Sequence, residues 1–393
     1  MPHTTLRFDV AIVGGGIAGL AVAWRAQQRG LRTVLLERDG LAHGATHVAA
    51  GMLAPISEAR VGERGLLALS RASLERYPAF VAELADASGR DPGYSASGTL
   101  LVARDRDEAE ALERELAERK AIGLLVERLL PSEARRREPA LAPTLRLALD
   151  VPGDHAIDPR ALSGALALAA ERAGATLREQ AEVARIALSH DGDRVVGVEL
   201  AAGGARIHAD QVVVAAGAWA GALDGPPAHA RVPVRPVKGQ IMRLRDPAGQ
   251  GGVPLLTRVI RMQPGYLVPR GDGRYVLGAT MEEQGFDTAP TAGGIFELLR
   301  DAIELVPGVA ELRIEEVSAG LRPGTPDNAP VLGPGAVQGL QWAAGCFRHG
   351  ILLAPIVADA LAAALAGEQL PEVAQPFGAA RFAPAAEREA VPS

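Results

Sequence analysis

The sequence predicts an α/β fold of two domains on three observations. An N-terminal apolar run ends in a glycine-rich turn that leads into a helical pattern and a second apolar run. A second block of strands lies in mid-chain, and 393 residues are enough to bury two separate cores. Arg7 to Val13 is the first apolar run and stops at "GGGIAG". "LAVAWRAQQRG" then has helical spacing up to Gly30, and "LRTVLLE" reads as a second buried strand ending at Glu37, which completes a βαβ unit. "RDEAEALERELAERK" is a charged helix with apolar contacts at Ala109, Leu112 and Leu116, a solvated surface helix outside the nucleotide core. Asp158 stands as N-cap and Pro159 at the first helical position of a helix running to about Gly174. "DRVVGVELAAGGARIHADQVVVAAGAW" alternates as strands do, turns at Gly203 and Gly204, and finishes in a fully apolar strand. Further strands are expected over 232–244 and 265–280. An amphipathic helix in "GGIFELLRDAIELVPG" and a strand in "LRIEEVSAGLRP" follow. No internal repeat is present, and the Pro- and Ala-rich C-terminal stretch is expected to lack strong anchoring.

A net charge of −6 and a pI near 5.8 leave no basic field for a polyanion, so nucleic acid is excluded as a partner. Lys120 and Lys238 are the only lysines, so nearly all of the 41 basic residues are arginine and each arginine has to be judged by its setting. The single cysteine, Cys346, excludes an internal disulfide and a multi-cysteine metal site, and it fits a reducing compartment. The N-terminus has no charged leader before a cleavable apolar segment. No apolar run reaches the roughly 20 residues a membrane helix requires. A soluble, cytoplasmic protein without membrane attachment is expected.

Gly14, Gly16 and Gly19 form G-x-G-x-x-G at the strand-to-helix turn, and Glu37 follows 18 residues after Gly19 at the end of the next strand. Gly14 makes the tight turn, Gly16 lets the backbone approach a pyrophosphate, and Gly19 permits close packing of helix on strand. The helix N-terminus presents N–H groups and a partial positive charge to the phosphates, and Glu37 accepts from ribose hydroxyls. This Rossmann-type pattern predicts dinucleotide binding. FAD is favoured over NAD because the chain next enters "HGATHVAAGMLAP", whose small side chains can lie flat against a large planar ring. The strand "QVVVAAGAWA", which runs through Gly217, is similar to the second nucleotide-contacting strand of FAD proteins.

"FDVAIVGGGIAGL", "AAGMLAP", "AIDPRAL", "VVVAAGAWA", "YLVPRGDGRYVLGAT", "GLRPGTPDNAPVLG" and "AAGCFRHGILLAP" recur in the order seen in the D-amino-acid oxidase superfamily. The chain most resembles its glycine oxidase branch, the kind associated with thiamine biosynthesis, from Asp9 to about Gly367. The resemblance implies a discontinuous FAD-binding domain (residues 1–90, 145–225 and 322–393) and a mixed α+β substrate domain (91–144 and 226–321) covering the flavin. It extends the cofactor contacts to Ile17, Ala18, Arg38, Thr46, Ala50, Gly51, Met52, Val183, Ala216 and Trp219, with FAD held non-covalently. It also implies a homo-oligomer and a downstream thiazole-forming partner.

The resemblance assigns Arg322 and Tyr266 to the substrate carboxylate. Leu321 and Pro323 flank Arg322 and restrict its backbone, and a preorganised guanidinium fork matches a carboxylate bidentately. Arg348, His349 and the N–H groups of Gly350, Ile351 and Leu352 fall where a helix N-terminus would face the flavin pyrimidine and favour negative charge there. Met52 and Met281 fit either the two sides of the ring or core packing. The implied reaction converts a small amino acid and dioxygen to an oxo acid, ammonia and hydrogen peroxide, with no side-chain base. Where relatives commonly read Gly-His-Phe-Arg-Asn-Gly, this chain has Gly345-Cys346-Phe347-Arg348-His349-Gly350, which bears on substrate preference: glycine, sarcosine, small D-amino acids and proline-like amines all suit the clamp. Two other functions suit the same residues. One is a D-amino-acid or secondary-amine dehydrogenase that passes electrons to a quinone or carrier. The other is a non-catalytic flavin-bound subunit of a complex.

Overall fold

The computed structural model describes residues 7–60 and 62–383. The strand Arg7–Val13 lies inside an eight-stranded sheet, parallel to Thr33–Leu36 on one side and to Arg206–Val214 on the other. Val13 stands level with both Leu36 and Val214, so three carboxyl ends meet where the glycine turn begins. Thr176–Arg178 and Leu340–Ala344 extend the parallel part outward, and an antiparallel hairpin, Val183–Leu188 with Val195–Leu200, is attached at one edge. The continuous apolar character of the first strand follows from burial on both faces. Val10 and Ile12 enter one core, which contains the helices, while Ala11 and Val13 enter the other.

The first helix, Ile17–Gln28, packs Leu20, Ala21 and Trp24 between the sheet and the last helix, Gly350–Leu365. The last helix is buried around nearly its whole circumference, which is why its sequence is apolar on every side. Gly19 permits the close approach of helix and turn, since a Cβ there would sit 2.0 Å from the Gly14 carbonyl oxygen. A helix of 25 residues, Arg64–Ser88, has no counterpart among the expectations above. It buries Leu66, Leu69, Tyr77, Phe80 and Leu84, and Ser73 Oγ donates to the Leu352 carbonyl at 2.7 Å.

Asp158 precedes the helix Pro159–Arg172, and its carboxylate accepts from the Arg160 N–H at 3.0 Å while also pairing with Arg274 at 3.2 Å. Asp158→Ala should cost ~1–2 kcal/mol in denaturant unfolding as the cap is lost. Arg274→Ala should cost less than about 1 kcal/mol, because that partner is partly exposed. Equal losses would place the value of Asp158 in the ion pair instead of the cap.

A second eight-stranded sheet has Arg313–Gly324 at one edge beside Arg235–Arg245, antiparallel, with Val237 opposite Arg322. Next come Arg274–Gly278 and Tyr266–Pro269, with Tyr266 opposite Gly278. One face of this sheet carries Met242 and Leu244 into a core with Leu298, Ala302 and Leu305 of the helix Ala292–Leu305. The opposite face carries Gly239 and Ile241 toward the first sheet. Two expected boundaries shift. Leu147–Val151 pairs between Thr99–Ala103 and Glu127–Leu129, so the second sheet's segment runs past 144 to Val151. Arg313–Gly324 continues unbroken through Arg322, so 321 divides no strand.

The expected weak anchoring of the C-terminal stretch is corrected up to residue 383. Ala374 and Phe377 are buried in the helix core, and Arg381 donates to Asp327 at 2.8 Å. The remainder of that stretch lies outside the described residues. Among the described residues, no helix is long and apolar enough to cross a membrane.

Candidate active site

A cavity of about 730 Å³ opens beyond the carboxyl ends of the first sheet and is covered by the second. Gly14, Gly16, Ile17, Ala18, Glu37, Arg38, Thr46, Ala50, Gly51, Met52, Val183, Ala216, Gly217 and Trp219 all line it. Gly19 does not, because it faces the Gly14 carbonyl inside the turn. The first helix carries no acidic residue in its first turn, so its partial positive charge is left for an anion. Thr46 Oγ1 accepts the Ile17 N–H at 3.0 Å and ties the small-residue segment to the helix start. Glu37 also braces the turn: its carboxylate accepts from Gly15 N–H at 2.7 Å and from Asp39 N–H at 3.0 Å. The Arg38 guanidinium lies over the Trp219 ring at 4.5 Å.

Tyr266, Arg322, Arg348, Gly350 and Ile351 line the same cavity. The Arg322 guanidinium crosses Gly239 so closely that a Cβ there would lie 2.2 Å from Nη1. Nη1 donates to the Thr280 carbonyl at 3.1 Å and more weakly to that of Lys238 at 3.4 Å. Among the described residues no carboxylate pairs with Arg322, so the second sheet holds a fixed cation with its anion seat open. Burial raises the Tyr266 phenol above its ordinary range, which keeps its hydroxyl protonated and able to donate. Gly278 leaves it room, since a Cβ there would stand 2.7 Å from that hydroxyl.

Gly345 at φ +69° and Phe347 at φ +43° turn the chain just before the last helix. Arg348 follows, with its Nε buried and unpartnered and its guanidinium pKa lowered by burial. A buried cation beside a helix N-terminus suits the part of a flavin that gains negative charge on reduction. The cradle therefore fits FAD at both ends.

Met281 does not take its expected place: it is 57% exposed and lies outside the cavity wall; the Arg322-bound carbonyl of Thr280 precedes it, and the Glu282 backbone pairs with Lys238 just after it. His349 is buried at the N-cap of the last helix, and its side chain does not line the cavity. The Leu352 side chain is buried in the helix core, and only its backbone N–H, in the first turn of that helix, bears on the expected contact. Sequence reasoning missed Glu58, a cavity-lining acid whose carboxylate stands 3.7 Å from His349 Nδ1. It closes an otherwise apolar stretch, and no spacing rule marks it.

Cys346 also lines the cavity, and burial pushes its thiol up to about 12. At pH 8 its thiolate should be ~10³-fold scarcer than for an ordinary thiol. Iodoacetamide should label it only after unfolding. Rapid labelling of the native protein would contradict that burial.

A dinucleotide cradle at the strand ends, faced by a second sheet that presents an open cation, defines a flavin-dependent oxidoreductase. Residues 9–364 match the family described as "DAO: FAD dependent oxidoreductase", and the chain belongs to it. Within that family it is an FAD-dependent amino-acid oxidase of the glycine oxidase kind. It is 37% identical to the glycine oxidase of Geobacillus kaustophilus over 355 residues, 90% of this chain and 91% of that protein. The crystal structure of glycine oxidase from Geobacillus kaustophilus superposes with a TM-score of 0.88 at 35% identity, covering 96% of this chain and 100% of that one. The bifunctional protein ThiO/ThiG of Synechocystis sp. is 36% identical over 95% of this chain, which spans 54% of that longer protein.

Proposed function

We propose that the protein oxidises glycine and other small amino acids, sarcosine and small D-amino acids among them, with water and dioxygen, to the oxo acid, ammonia (or the amine) and hydrogen peroxide. The observation that carries this reading is Arg322, a cation fixed by backbone carbonyls with no acid partner among the described residues, sharing a cavity with the Tyr266 hydroxyl. FAD, when bound, supplies the two-electron acceptor and returns the electrons to dioxygen.

The chain's own residues do the positioning. Arg322 and Tyr266 take the carboxylate, which fixes the Cα of a small substrate against the ring end of the cavity. Arg348 and the last helix's N-terminus hold positive potential where negative charge grows. No side-chain base is assigned: the His47 ring is absent from the cavity wall, and His349 sits behind it. The relatives' names support glycine as substrate, and the ThiO/ThiG protein supports a role in thiamine assembly with a thiazole-forming partner.

Anaerobic titration of the FAD-loaded protein with glycine, sarcosine, D-alanine and D-proline tests the reading. Bleaching of the visible flavin band by glycine, followed by peroxide on admitting air, is expected. A flavin that none of the four reduces would overturn it, and reduction without peroxide would identify a dehydrogenase instead.

A further inference from the structure

Four acidic residues line the cavity: Glu37, Asp39, Glu58 and Glu182. Glu37 and Asp39 belong to the dinucleotide turn, and Glu182 adjoins Val183 in the same quarter. Of the four, Glu58 alone shares the region of Arg322, Tyr266 and Arg348, close enough for the two arginine charges to act on it and for its own to act on Tyr266.

The backbone leading to Glu58 is held unusually firmly. The buried Asp154 carboxylate accepts from the Ile56 N–H at 2.9 Å and the Ser57 N–H at 2.8 Å. Buried Arg119 donates to the Ile56 carbonyl at 3.0 Å and to the Ser57 carbonyl at 2.8 Å, and Arg261 also donates to Ser57. Yet among the described residues nothing donates a hydrogen bond to the Glu58 carboxylate; its closest charged neighbour is His349 Nδ1 at 3.7 Å. A clamped backbone carrying an acid with an unfilled acceptor, 13% exposed and facing a cavity, is the arrangement of a ligand-binding group. Burial opposes its ionisation, but the charges around it, His349 first when that ring is protonated and then Arg261, Arg348 and Arg322, outweigh it and hold the carboxyl below its ordinary value, while burial lowers the pKa of His349 itself.

We propose that Glu58 is the amine-end partner of the substrate: while Arg322 takes the carboxylate, Glu58 accepts from the amine N–H and so selects zwitterions over simple carboxylates. A glycine-sized ligand carries opposite charges on adjacent carbons, and the cavity presents opposite charges to receive them. Once the bound ammonium has released a proton to water, the same carboxylate faces the neutral nitrogen as the Cα–H bond breaks and positive charge develops there, so part of its effect falls on the chemical step. This inference rests on the amino-acid reading of the same cavity.

The test compares ligands that share the carboxylate and differ in the amine. In FAD-loaded Glu58→Gln, kcat/KM for glycine should fall on the order of 10²-fold. The Kd of acetate, read from the flavin spectrum, should stay the same or tighten, since a negative charge has left the pocket. Glu58→Asp, which keeps the charge, should recover part of the glycine rate and guards against a folding failure in the first variant. Acetate and glycine weakening together would mark Glu58 as merely structural and overturn the proposal, as would unchanged glycine kinetics in Glu58→Gln. Wild-type protein whose flavin binds acetate but is reduced by no amino acid would instead overturn the underlying oxidase reading, and this inference with it.

Discussion

Arg322→Ala should retain FAD and lose ~10² to 10³-fold or more in kcat/KM for glycine, equivalent to ~3–5 kcal/mol of a desolvated charge pair. The effect should be confined to substrate because of what the guanidinium touches. Its hydrogen bonds go to two backbone carbonyls, of Thr280 and Lys238, it acts on the Tyr266 hydroxyl beside it, and no ion pair is broken when it goes, although Glu58 loses one of several positive charges around it. The Lys238 carbonyl keeps its bond from the Glu282 N–H at 3.0 Å, so the strand pairing around it stays intact. Arg322→Lys adds a sharper criterion. Lysine restores the charge but not the planar fork, so its rate should fall between wild type and alanine. Steady-state kinetics with flavin content measured alongside settle the matter. A near-normal alanine variant would remove the carboxylate clamp.

The nucleotide half of the fold was legible because its demands are local. A pyrophosphate-binding turn needs glycine at set positions, and strands buried on both faces need unbroken apolar runs, so Arg7–Val13, Ile17–Gln28 and Thr33–Leu36 could be read directly. Asp158 with Pro159 marked a helix start for the same reason. The Arg64–Ser88 helix was harder to read, because Pro78 lies inside it and its buried stripe answers to the last helix, nearly 300 residues away in sequence. Leu147–Val151 falls inside the segment expected for the FAD-binding domain yet pairs in the second sheet, because an apolar strand does not state its partner. At the cavity, Arg322 and Tyr266 stood in recognisable stretches, whereas Glu58 gains meaning only from Asp154, Arg119 and Arg261 converging on the residues before it. Met281 misled because one residue along an extended chain is enough to exchange a cavity wall for solvent.

Gly16→Val should fold and fail to hold FAD, and the surroundings of the three fingerprint glycines show why this position separates the two effects. At Gly14, with φ +109°, a Cβ would press on the Ala215 carbonyl oxygen at 2.4 Å, and at Gly19 it would meet the Gly14 carbonyl oxygen at 2.0 Å. Substitution at either site disrupts the protein itself. At Gly16, with φ −75°, the nearest protein atom to an added Cβ is Thr46 Oγ1 at 3.4 Å, an ordinary contact, and the residue lies on the cavity wall. The valine methyl groups would therefore occupy space that belongs to the pyrophosphate. Purified Gly16→Val protein should be colourless and inactive but retain wild-type circular dichroism, and its melting temperature should match that of flavin-stripped wild type. A yellow, fully loaded variant would show that the phosphates approach the chain elsewhere.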